Sequence, residues 1–93
     1  MNSAQLSYLV LGITPATMAA CRTLATQGGC FTVLDGDQLA GHRLVLELNT
    51  GSRGRAIFIP GNPQDPDDRA DAMAENARCW PDQTPLILSP ATP

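Results

Sequence analysis

The chain has 93 residues, 43% of them hydrophobic, a formal net charge of −3 and an isoelectric point near 4.7. This length suits one small domain with a modest core, the apolar share argues against disorder, and the acidic balance leaves no electrostatic footprint for nucleic acid or an anionic membrane. All six cations are arginines, which removes a lysine base, a Schiff base and a P-loop lysine from the chemistry open to the chain.

The first apolar run, Leu6 to Ile13, has no basic residue before it and is too short to cross a bilayer. It reads as a buried strand ending in a turn glycine, Gly12. Thr14 then supplies an N-cap and Pro15 the first helical position, where a missing N–H costs nothing. Thr17, Ala20, Cys21, Leu24 and Ala25 share one face of the helix that follows. Gly28 stops it, and a second strand runs from about Phe31 to a terminal acid, Asp35. A second helix is expected from about Gln38 to Leu48 behind an Asp37 cap. Gly41 and the crowded Leu44, Val45, Leu46 and Leu48 leave a strand at Arg43 to Leu48 as an alternative.

Thr50 to Gly54 reads as a turn, and Ala56 to Ile59 as a short buried strand before Pro60 and Gly61. The third helix has Asp65 as N-cap, Pro66 at its first position and Asp67 and Asp68 in its first turn, where negative charge suits the helix dipole. Ala70, Met73, Ala74 and Ala77 form its expected apolar stripe, with Met73 read as core. The acidic cluster of Asp65, Asp67, Asp68 and Asp71 lacks the spacing and glycine of a calcium hand, so capping and solvation explain it and no metal site is expected. A fourth strand begins near Leu86. The order β, α, β, α, β, α, β predicts a parallel α/β sheet in a single domain spanning 1–93.

The three cysteines, Cys21, Cys30 and Cys79, have neither CxxC nor zinc-ligand spacing, so reduced core thiols and a cytoplasmic setting are expected. Tyr8 reads as a strand residue with its hydroxyl near an edge, and His42 as a surface histidine.

These residues together resemble the N-terminal half of a short-chain dehydrogenase/reductase, over roughly Leu6 to Thr92. Gly12 matches the first glycine of that family's GxxxGxG, and Leu24-Ala25-Thr-Gln-Gly28 resembles its helix end. Asp35 stands where the family often sets an acid against the adenosine ribose, a position that favours NAD over NADP. Asn62 replaces its usual adenine-contacting aspartate, and Ala91 alone survives from its NNAG turn. The resemblance implies a three-layer Rossmann-like fold with strand order 3-2-1-4 and about three helices. It also implies a remnant cofactor site of Gly12, Thr14, Thr17, Asp35, Asn62 and Ala91.

The departures from that pattern are specific. The glycine loop is about one residue short and has lost its second and third glycines, so Thr14 to Thr17 occupy the phosphate cradle, and no cofactor or only weak NAD binding is expected. The family's catalytic tyrosine, with a lysine four positions on, has no counterpart: Tyr8 lies in the first strand and there is no lysine. No catalytic residue is therefore assigned. The same topology would place two helices on one face of the sheet and one on the other, with Leu86 to Leu88 as an edge strand. An exposed apolar patch follows, met by self-association or a partner chain.

The expected role is a non-catalytic dehydrogenase-like module, either a structural or partner subunit or a truncated product. An alternative is the NAD-binding portion of an oxidoreductase completed by another chain. A further alternative is a thioredoxin-like interaction domain: Gly12 to Pro15 before a helix loosely resembles a glutaredoxin element, though CxxC is absent and Arg55 stands where a cis-proline would be expected. Such a fold would mix parallel and antiparallel strands.

Overall fold

The computed structural model describes residues 6–51 and 54–90. Four apolar runs form the strands β1 (Ser7–Leu11), β2 (Cys30–Asp35), β3 (Arg55–Pro60) and β4 (Leu86–Leu88). They alternate with the helices α1 (Pro15–Ala25), α2 (Gln38–Thr50) and α3 (Pro66–Cys79). The sheet has the order β3-β2-β1-β4, and every neighbouring pair is parallel. This is the expected three-layer, Rossmann-like α/β arrangement, and its uniform strand direction removes the thioredoxin-like alternative. Of the turn expected at Thr50 to Gly54, Ser52 and Arg53 lie outside the described residues, and Thr50 closes α2.

Successive strand residues point to opposite faces, so a sheet covered on both sides needs unbroken apolar strands. Tyr8, Val10, Phe31, Val33 and Ala56 pack with Cys21 and Ala25 of α1 and Leu44 and Leu48 of α2. Leu9, Leu11 and Leu34 face the other way, with Ala72 of α3. Tyr8 is buried and stacks on Phe31 at 5.4 Å between ring centroids.

Helix ends follow their cap chemistry. Thr14 and Thr17 form a reciprocal capping box at the start of α1. Its end is a Schellman motif: Gly28, at φ 86°, donates to Ala25 O, while Gly29 donates to Leu24 O. Residues 43–48 are helical, not extended, because the crowded leucines split between faces: Leu44 and Leu48 are buried, whereas Leu39 and Leu46 point to solvent. Gly41 lets α2 approach β3, since a Cβ there would stand 2.1 Å from the Phe58 ring.

The expected apolar stripe of α3 is incorrect. Ala70, Met73, Ala74 and Ala77 are all exposed, and the helix buries Ala72 and Asn76 instead. Thr32 Oγ1 donates to Asn76 Oδ1 at 2.9 Å, and Asn76 Nδ2 donates to Ser7 Oγ at 3.2 Å, with all three side chains inaccessible. Alanines offer little area to compete with this pair of buried bonds, so the asparagine sets the rotation of α3. Met73 is consequently a surface residue.

The two sheet edges differ. Asn49 of α2 donates its Nδ2 to Ala56 O at 3.0 Å and accepts the Ala56 N–H on Oδ1 at 2.9 Å, which satisfies main-chain groups along the outer edge of β3. Among the described residues no comparable side-chain bond to β4 is found, and Leu86 and Ile87 are about half exposed. Among the described residues, no helix is long and apolar enough to cross a membrane.

Cys21 and Cys30 are buried, as expected of core thiols, but Cys79 is on the surface. Burial pushes the Cys21 thiol up to about 11, against the opposing Arg22 charge, and raises Cys30 against that of Arg55. At about pH 8, Ellman's reagent should therefore modify Cys79 quickly and the other two only after denaturation, because the thiolate is the nucleophile. A second fast thiol in the native protein would contradict this packing.

Candidate functional site

In an open α/β sheet, ligands bind outside the carboxyl ends of the strands where the strand order reverses. Here that point lies between β1 and β4. A cleft of about 260 Å³ opens there, lined by Leu11, Pro63, Gln64, Arg69, Ser89 and Pro90. Beside it runs the turn from β1 into the first turn of α1, which contains Gly12, Thr14 and Thr17 of the site expected from the sequence.

Gly12 has φ 96° and donates its N–H to Leu34 O at 2.9 Å, so the turn is pinned to the end of β2. A Cβ at Gly12 would lie 3.8 Å from Pro90 and 3.9 Å from Pro63. The two proline rings thus stand beside the glycine where a diphosphate would need open approach to the backbone.

The N–H groups of Gly12, Ile13, Thr14, Thr17 and Met18 are used within the protein. Thr14 N–H donates to Thr17 Oγ1 at 2.8 Å, Thr17 N–H to Thr14 Oγ1 at 3.1 Å, and Met18 N–H to Thr14 O at 2.9 Å. The Thr17 hydroxyl also donates to Gly12 O at 2.9 Å. Pro15 has no N–H to give. Thr14 and Thr17 therefore close the helix start on itself, where an anion site would present outward donors.

Asp35 is at the end of β2, as the ribose-contact position requires, yet its carboxylate turns inward. Oδ2 accepts the Ile13 N–H at 2.7 Å and Oδ1 accepts the Asp37 N–H at 2.7 Å. The acid ties the β1–α1 turn to the β2–α2 turn, and its main-chain carbonyl accepts Gly61 N–H at 3.1 Å. Three loops meet at this residue.

A scan against models of known families, a search of curated proteins and a search of solved structures each return no match. The chemistry of the site rests on its own geometry.

Asn62 lies in the neighbouring β3–α3 loop and serves its own turn, with Oδ1 accepting Gln64 N–H at 2.9 Å and its N–H donating to Asp68 Oδ2 at 2.8 Å. Ala91 lies outside the described residues. The structure thus gathers Gly12, Thr14, Thr17 and Asp35 into one hydrogen-bonded unit and places Asn62 in the next loop. Sequence reasoning missed Arg69, Ser89 and the two prolines at the strand ends, for which spacing gave no signal. Asp65 caps α3 by accepting Asp67 N–H at 2.8 Å. No group of three or more histidine, cysteine or acidic side chains converges as a metal site among the described residues.

His42 is an exposed residue of α2, with its ring edge-on to Phe58 at 5.1 Å.

On the α3 face a second depression of about 420 Å³ runs between α3 and β4. Its floor is Leu9, Leu11 and Ile87, and its wall is Pro66, Ala70 and Met73, with Arg69 also lining it. The rotation of α3 that buries Ala72 and Asn76 toward the sheet turns Ala70 and Met73 into this groove. This apolar depression is therefore distinct from the more polar cleft at the strand ends.

Proposed function

We propose that this chain is a non-catalytic, short-chain-dehydrogenase-like module that acts as a structural or partner subunit. The observation that carries this reading is the uncovered apolar groove between α3 and the bare β4 edge. Apolar strands of a parallel sheet are normally covered on both faces, and an apolar depression beside an open edge suits a docking role. Internal use of the turn donors supports the same conclusion, because a dinucleotide would have to displace formed hydrogen bonds.

The groove is tested with an environment-sensitive apolar dye. Fluorescence should rise with the native protein and fall at least severalfold for Met73→Glu, which places a charge on an exposed wall position. No dye response from the wild type would remove this reading.

A second reading, the NAD-binding part of an oxidoreductase completed by another chain, is favoured by one feature: Asp35 beside Gly12 at the carboxyl ends of β1 and β2. Calorimetric titration separates the two. Binding no tighter than about millimolar, or about −4 kcal/mol, is expected, and tighter NAD binding would favour the second reading.

A further inference from the structure

We infer that the α3–β4 groove and the cleft at the strand ends together bind a small aliphatic carboxylate, with its hydrocarbon chain in the groove and its carboxylate on Arg69. This goes beyond the subunit role, because the ligand is a small molecule and no partner chain is needed to hold it. The two concavities share Leu11 and Arg69 in their linings, so they meet at the carboxyl end of β1. That is the switch point at which open α/β sheets bind their ligands. The groove, at about 420 Å³, falls within the range of small-molecule sites, roughly 300–1,000 Å³.

The two ends of the site differ in chemistry. Met73 on the α3 side of the groove and Ile87 on the β4 side are 39% and 49% exposed, so an apolar chain between them removes from water a surface that the fold leaves wet. In the cleft, Gln64 and Ser89 supply an amide and a hydroxyl, and neither side chain is hydrogen-bonded among the described residues.

Arg69 stands where the two ends join and is the only charged side chain in either lining. It is exposed and has no ion pair among the described residues, whereas Arg22 and Arg78 are paired with Glu47 and Glu75. The acids at the start of α3 serve their own turns: Asp65 accepts the Asp67 N–H and Asp68 the Asn62 N–H. No carboxylate lines the groove or the cleft. A guanidinium binds a carboxylate through two parallel N–H bonds. One cation in a chain of net charge −3 suits a single negative charge, and a dianionic phosphate would keep one charge uncompensated. An apolar body ending in one carboxylate is the ligand that matches both ends.

The probe is octanoate at pH 7, where its carboxyl group is ionised, titrated into isotope-labelled protein and followed by amide chemical shifts. Shifts at Arg69, Met73, Ile87 and Ser89 should saturate together, with a dissociation constant near or below about 1 mM. Butanoate should bind at least tenfold more weakly, because each methylene fully removed from water strengthens binding about fourfold. Octylamine, with the same chain and the opposite charge, should also bind at least tenfold more weakly. Arg69→Gln should weaken octanoate at least tenfold and leave binding of the neutral octanol unchanged, whereas Met73→Glu should weaken both. Both substitutions are at exposed positions, and an unaltered spectrum outside the site shows that each variant is folded. Shifts that fail to saturate, or that saturate away from Arg69 and Met73, would overturn the inference. So would octanoate affinity that is unchanged in Arg69→Gln or equalled by octylamine, since the groove would then be an apolar surface without a charge preference. Dye fluorescence from the wild type without octanoate binding would overturn the carboxylate site and leave the docking reading intact.

Discussion

Replacing Asn76 with alanine is expected to destabilise the protein by about 3 kcal/mol, because it leaves two buried hydroxyls without their partner. Asn76, Thr32 and Ser7 are each 1% exposed or less, and the amide is the group through which the two hydroxyls are joined to α3. Total stabilities of small domains are about 5–15 kcal/mol, so the loss is a large fraction of what holds the chain folded. For a domain of this size, each kcal/mol moves the melting midpoint by about 4–8 °C, which makes the effect easy to measure. Urea denaturation should show a lower midpoint with an unchanged slope. The apolar triple Ser7→Ala, Thr32→Val, Asn76→Leu should recover most of the loss, since removing all partners of a buried network costs far less than removing one. An alanine variant within about 0.5 kcal/mol of wild type would show that α3 is seated by Ala72 and its neighbours instead.

This network also explains which parts of the fold were legible in the sequence. Strands β1 to β3 could be read from local composition because burial on both faces demands unbroken apolar runs. The start of α1 was equally local: Thr14 and Pro15 each act within a few residues. Helix α3 could be located by Asp65 and Pro66, but its orientation could not be read. Its seat depends on partners 44 and 69 residues away in the chain, and an alanine-rich helix gives a weak apolar period. The candidate site divides in the same manner. Gly12 and Asp35 were identifiable because strand ends place them, whereas the direction of the Asp35 carboxylate depends on Ile13, 22 residues earlier. The prolines against Gly12 come from two other loops, so their effect on the phosphate space is a tertiary property. The topology alone implies an exposed apolar patch near the β4 edge, but helical spacing reads Met73 as core where it lines the α3–β4 groove.

The second large effect is expected at Asp35, where alanine should cost about 3 kcal/mol through the loss of two hydrogen bonds to a charged acceptor. The bonds from Ile13 N–H and Asp37 N–H are both 2.7 Å and join the turns that precede α1 and α2. Asparagine should fall between alanine and wild type, since its single carbonyl oxygen can replace only one carboxylate acceptor and its NH₂ would face a donor. Amide hydrogen exchange gives a site-specific check: Ile13 and Asp37 should lose protection in the alanine variant, while the centre of β2 changes only with global stability. These measurements are made without nucleotide, which separates a clamp from a ribose contact. A carboxylate held ready for a ribose could be removed with little change in the stability of the ligand-free protein. A carboxylate that binds two of the protein's own loops together cannot, and the fall in stability should appear whether or not NAD binds. Stability within about 0.5 kcal/mol of wild type for Asp35→Ala, with Ile13 still protected, would reject the clamp and favour the cofactor-binding alternative.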